Sequence, residues 1–174
     1  RMWFINQFDT TSPAYNIAVA LRLAGTLDHA ALRAAAADVA ARHETLRTRY
    51  PLTDDGPVQV VLPVAVWQPD FTVTPVETED TVPAHIDRIV GTGFDVATEV
   101  PVRIRLLTVT DTDHVLVLVV HHIAADGFSM GPLGRDLMTA YAARAEGHAP
   151  TWSPRPVQDA DYTLWQHTVL GDES

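Results

Sequence analysis

The chain has 174 residues, 47% of them apolar and 20% charged, a balance that suits one folded domain and argues against disorder. It contains no Cys, which excludes disulfide scaffolds, thiolate metal sites and cysteine nucleophiles. Its 12 basic residues, all Arg, stand against 22 Asp and Glu, and the net charge of −10 argues against a general binder of nucleic acid or anionic membrane. Much of the acidity falls in residues 51–100, where Arg88 is the sole base; this reads as a solvated face, with a docking surface for a basic partner as the alternative. No apolar run reaches the roughly 18–20 residues of a spanning helix. Arg1-Met2-Trp3-Phe4 lacks the pattern of a signal peptide, and a start at Arg1 reads as a fragment or a trimmed chain.

Residues 15–23 alternate as a strand, with Tyr15, Ile17, Val19, Leu21 and Leu23 on one face, and Gly25 ends it. Asp28 or Thr26 can cap a helix over 29–42, whose apolar face is Leu32, Ala35, Ala36, Val39 and Ala40. A strand is expected to begin near Leu46, with Arg47 on it. Asp54-Asp55-Gly56 marks a turn, and residues 58–62 and 71–76 read as strands. Pro83 suits the first turn of a helix over 83–91, ended by Gly91 or Gly93. Residues 102–109 alternate Val102, Ile104 and Leu106 against Arg103 and Arg105, which reads as one buried and one polar face. After the polar connection 110–113, the unbroken apolar run 115–120 reads as a central strand covered on both faces, joined to its predecessor as a hairpin. A helix is expected over 130–146, with Met130, Leu133, Leu137, Ala140 and Tyr141 inward and Gly147 as its stop; residues 161–169 read as a short helix. The whole is α/β, with helices on at least one face of the sheet.

The chemistry concentrates in His121-His122-Ile123-Ala124-Ala125-Asp126-Gly127, at the end of the most buried strand and before a helix. Successive strand side chains point to opposite faces, so the two His should divide their labour. A neutral imidazole can take a proton from an amine or hydroxyl that the substrate brings. Asp126 can orient an imidazole, bind Arg or cap the next helix. Gly127 permits a tight turn, and Ser129 with the following amides can meet an oxyanion. The competing reading is a surface or packing pair of histidines. A metal site lacks a third nitrogen ligand, and Ser129 lacks a nucleophile-elbow setting. An ionised Asp126 in buried surroundings needs a cation, and Arg47 is the first choice ahead of Arg42 and Arg49. Arg103 and Arg105 read as polar-face residues of their strand.

Four stretches in order resemble the core motifs of condensation domains of nonribosomal peptide synthetases. They are Arg1-Met2-Trp3-Phe4, then Arg42-His43-Glu44-Thr45-Leu46-Arg47-Thr48-Arg49-Tyr50, then Val120-His121-His122 through Asp126-Gly127-Phe128-Ser129, and Asp159-Ala160-Asp161-Tyr162-Thr163-Leu164-Trp165. The resemblance implies an α/β chloramphenicol acetyltransferase-like lobe, with a mixed, mostly antiparallel sheet and flanking helices. It takes residues 1–174 as the N-terminal lobe of a two-lobed domain.

The implied reaction joins a donor acyl or peptidyl thioester to the amine of an acceptor aminoacyl thioester, both held on phosphopantetheine arms of carrier proteins. No cofactor is bound directly and no metal is implied. His122 matches the catalytic position, as proton acceptor or amine-positioning residue. His121 and Asp126 match structural positions, Arg47 the partner of Asp126, and Gly127 the tunnel lining; Phe128 and Ser129 are further channel candidates. The implied partners are the C-terminal lobe, donor and acceptor carriers and an adjacent adenylation domain, in the cytoplasm, without nucleic acid or membrane. The first two motifs look most like the type joining an L-donor to an L-acceptor; starter and epimerisation types are alternatives. A noncatalytic partner-binding module is the alternative from another class. Asp159, where an aromatic is usual, and Ala125, where Ser is common, depart from the pattern.

Overall fold

The structure is a computed structural model and describes residues 15–124, 130–152 and 163–167. Its five-stranded sheet has the order β6-β7-β8-β1-β9, built from Phe71–Pro75 (β6), Val102–Thr110 (β7), Asp113–His121 (β8), Asn16–Ala24 (β1) and Thr163–His167 (β9). All neighbours are antiparallel except β6 and β7, which run parallel. Three α-helices accompany it among the described residues: α1 (His29–Arg42), α2 (Val82–Val90) and α3 (Met130–Ala145). Two short ribbons lie apart from the main sheet: Thr48–Arg49 (β2) pairs with Val60–Val61 (β5), and Leu52–Thr53 (β3) with Gly56–Pro57 (β4).

The apolar run of β8 explains the layering. Leu116, Leu118 and Val120 join Leu32, Val39, Leu133 and Leu137 of α1 and α3 in one core. Val115, Val117 and Val119 join Val82, Ile86 and Val90 of α2 in another. Both faces of β8 are therefore dry, as a central strand between helical layers requires. Each fully buried Val or Leu contributes about 1.5–3 kcal/mol, so this strand is a large part of what holds the sheet.

β1 is buried on both faces too, with Val19 and Leu21 in the first core and Ala18 and Ala20 in the second. Gly25 ends it at φ +101°, a conformation that disfavours side chains. α1 occupies the expected span, and of the two candidate caps it is Asp28 that accepts from the Ala31 N–H at 3.1 Å. α2 begins at Val82, one residue before the expected start, and Gly91 caps it. The β7–β8 hairpin is tighter than expected, because both strands extend into the 110–113 connection. Gly147 stops α3 at φ +90°.

Four expectations are corrected. Leu46 and Arg47 lie not on a strand but in a 3₁₀ turn, Glu44–Arg47; the Leu46 N–H bonds His43 O, and Thr48 Oγ1 donates to Glu44 O at 2.8 Å. The strand over 58–62 contracts to Val60–Val61, since its partner β2 offers just two residues. The helix expected over 161–169 is instead β9, whose backbone pairs with the open edge of β1 from Ala18 to Arg22. An edge strand's unpaired amides and carbonyls reward such pairing beyond what local propensity signals. Finally, Arg103 is not on a solvated face but 6% exposed.

Candidate active site at the end of strand β8

β8 ends at His121, and the two histidines part company there. The His121 side chain continues the odd-numbered face toward α2 and is 2% exposed, while His122 is exposed. The backbone of the pair hangs between the flanking strands. The His121 N–H donates to Pro101 O at 2.9 Å, just before β7, and the His122 N–H donates to Tyr15 O at 2.8 Å, just before β1. The Ala124 N–H then closes a turn onto His121 O at 2.9 Å.

His121 is fixed in one tautomer. Its Nδ1 accepts from the Ile123 N–H at 3.0 Å, so the neutral ring carries its proton on Nε2. Phe94, itself 1% exposed, stands edge-on to the ring at 6.3 Å, and the Tyr15 ring lies 6.1 Å away on a tilt. Burial, reinforced by the neighbouring His122, pushes His121 down to about 4. It is therefore neutral near pH 7 and unsuited to shuttling protons with solvent. His122 has the accessibility that His121 lacks.

Arg47 is 6% exposed at the end of the 3₁₀ turn. Its Nε donates to Ala40 O at 2.7 Å and its Nη1 to Leu62 O at 2.6 Å, both backbone carbonyls. Asp126, its expected partner, lies outside the described residues, as do Ala125, Gly127, Phe128, Ser129 and the motif stretches at 1–4 and 159–162. Arg42 is not simply solvated: its guanidinium stacks over Trp152 at 4.6 Å and lies 3.8 Å from Asp136. His43 Nε2 meets the same carboxylate at 3.0 Å, which ties the second motif to α3, the helix that follows the His-pair loop. Arg105 pairs with Asp70 at 2.8 Å, away from the histidines.

Beneath the pair, sequence reasoning assigned Asn16 and Phe94 no role in the site and set Arg103 on a polar face. Asn16 donates from Nδ2 to Val90 O and Thr92 O at 3.0 and 2.7 Å. Arg103 donates to Thr92 O and Gly93 O at 2.9 and 3.1 Å, and stacks at 4.1 Å on Phe94. Burial, then repulsion from Arg105, lowers the Arg103 pKa. Unbroken alternation across 102–109 hides a buried arginine; the one available signal was an aromatic, Phe94, set among glycines and acids.

Two open grooves, one between α2 and β1 near Arg22 and the other between α1 and residues 64–73, include neither histidine. The site is marked by strand position and side-chain chemistry. No cluster of three or more His, Asp or Glu residues suited to a metal occurs among the described residues. No helix among them is long and apolar enough to cross a membrane.

The fold and site together are a mixed, mostly antiparallel sheet covered by helices, with a His pair divided between core and solvent at the end of its central strand. The condensation-domain family model matches residues 1–174, and the chain belongs to that family. It is 49% identical, over 99% of its length, to the isonitrile lipopeptide synthase of Mycobacterium tuberculosis, and 43% identical, again over 99%, to a dimodular nonribosomal peptide synthase of Bacillus subtilis. It spans 7% of the length of each. Among solved structures, the X-domain from teicoplanin biosynthesis matches 90% of this chain at 39% identity and a TM-score of 0.77; the chain covers 33% of it. That X-domain has also been solved in complex with OxyB. The chloramphenicol acetyltransferase-like fold is thereby established for this chain.

Proposed function

We propose that this chain supplies the His-bearing lobe of a condensation domain that forms an amide between two carrier-bound thioesters. In the reaction, the acceptor amine attacks the donor thioester carbonyl. The C–N bond forms, the C–S bond breaks, the amine loses a proton and the donor carrier's thiol leaves. His122 accepts that proton or holds the amine in line. The observation that carries the reading is the division of the pair: His121 is buried, neutral and fixed in tautomer, while His122 is presented to solvent on the next residue. A rigid strand end that offers one accessible imidazole suits a reaction whose nucleophile arrives with the substrate.

The finer assignments follow the motif resemblance. Asp126 pairs with Arg47, a buried guanidinium whose described partners are carbonyls, so that its charge calls for a carboxylate. Gly127 lines the tunnel, with Phe128 and Ser129 beside it. The donor and acceptor are both L-configured aminoacyl groups on phosphopantetheine arms. A second lobe closes the tunnel, and an adenylation domain in the same cytoplasmic assembly loads the acceptor carrier.

The test is His122→Ala in the full-length protein, assayed with both carriers loaded. Peptide transfer is expected to drop by about 10²–10⁴-fold with the melting temperature unchanged. Transfer at the parental rate would remove His122 from the chemistry. One observation favours a second reading, a partner-binding module: the similar X-domain is seen in complex with OxyB. On that reading neither the parent nor the His122→Ala protein transfers a peptide, and both bind the partner.

A further inference from the structure

Beneath the His pair, two strands reach for one carbonyl. Thr92 O accepts from Asn16 Nδ2 at 2.7 Å and from Arg103 Nη1 at 2.9 Å. Asn16 sits on β1 directly opposite His121, and Arg103 sits on β7 opposite Val119, so the donors come from the two sides of β8. Each has a second hold nearby: Asn16 on Val90 O at the end of α2, Arg103 on Gly93 O in the loop that follows. The loop carries Phe94, whose ring meets both the Arg103 guanidinium and, edge to face, the His121 ring.

The choice of residues is informative. A guanidinium 6% exposed is costly to bury, and its contact with Glu99 is long, at 3.9 Å. An aliphatic side chain would fill the slot, but it would not present a planar fork to two successive carbonyls. Among the described residues the buried Asn16 Oδ1 has no hydrogen-bond partner, and the side-chain amide serves as a donor.

The same two strand ends hold the histidine amides. Tyr15, adjacent to Asn16, accepts from His122 N–H, and Pro101, two residues before Arg103, accepts from His121 N–H. We infer that Asn16, Arg103 and the Thr92 carbonyl form a clamp across the end of β8. It fixes the spacing of β1 and β7 and thereby the corner that aims His122. Asn16 and Arg103 are positioning residues and touch no substrate. The rate effect rests on the condensation reading above; the structural effect does not.

The test uses the full-length protein with Arg103→Met, Asn16→Ala and Arg103→Lys, read by hydrogen exchange and by single-turnover peptide transfer. In the first two variants, amide exchange across residues 119–124 is expected to rise about tenfold while α1 stays as protected as in the parent. Transfer is expected to fall about ten- to a hundredfold with half-saturation by the carriers unchanged. Arg103→Lys, which keeps the charge and one donor for Thr92 O, recovers part of both. The clamp is overturned if exchange at 119–124 stays parental, if α1 loosens equally, or if transfer remains parental despite local opening. If Arg103→Met does not fold, Asn16→Ala decides. A parent without transfer activity would defeat the condensation reading, and the exchange data would still decide the clamp.

Discussion

His121 ties the stability of the fold to pH. In the unfolded chain its imidazole titrates near 6.5; in the fold, burial and the adjacent His122 hold it at about 4. The native state therefore binds fewer protons between these values. Stability is full above about pH 6.5 and declines as pH falls toward 4, by on the order of 3 kcal/mol from this group. His114, buried at the other end of β8 and lowered by burial and then by His29, acts in the same direction. Denaturant unfolding at pH 7 and pH 4.5 should show the loss. In His121→Asn, whose Oδ1 can still accept from the Ile123 N–H, the slope should flatten; an unaltered slope would refute the assignment. At this scale the sequence was half legible. Alternation predicts that adjacent histidines diverge, and they do. It also predicts that Arg103 faces water, because period-two patterning cannot register a ring such as Phe94 arriving from a distant loop.

Individual elements were readable where local chemistry decides them. α1 follows from an Ala-rich run, an apolar face and the Asp28 cap, all within one short stretch. Asp28→Ala should cost about 1 kcal/mol by releasing the Ala31 N–H, measurable as a shift in denaturation midpoint with an unchanged slope. No shift would show that solvent satisfies that amide equally well. Elements that depend on distant partners were misread. Leu46-Arg47 looks extended, but the Arg47 side chain turns back to Ala40 O, and the segment winds into a 3₁₀ turn. Residues 163–167 carry no strong strand signal; the edge of β1 recruits them.

For the whole molecule, fold class was legible because β8 is long and apolar and its flanking helices are strongly patterned. On the reading proposed above, a second lobe completes the tunnel, an expectation that rests on the motif resemblance and not on any property of these elements. The chain corresponds to 33% of the solved X-domain. Residues 1–174 by themselves are therefore expected to give no dipeptidyl product from loaded carriers, while the full-length protein does. Multiple turnover by the isolated chain would contradict the two-lobed arrangement.

The pairing of β1 with β8 also sets a schedule for biosynthesis. Tyr15 and Asn16 leave the ribosome well before the residues they hold, Pro101-adjacent His121 and its neighbour, which are made only after α1, both ribbons, α2 and β7. Until then β1 is an apolar strand with an open edge on either side, and the nascent chain must be kept from pairing it elsewhere. The β7–β8 hairpin, local in sequence, can close as soon as it emerges and offer β1 its template. The corner at His121 and His122 would then be among the last parts of this sheet to be assembled during translation.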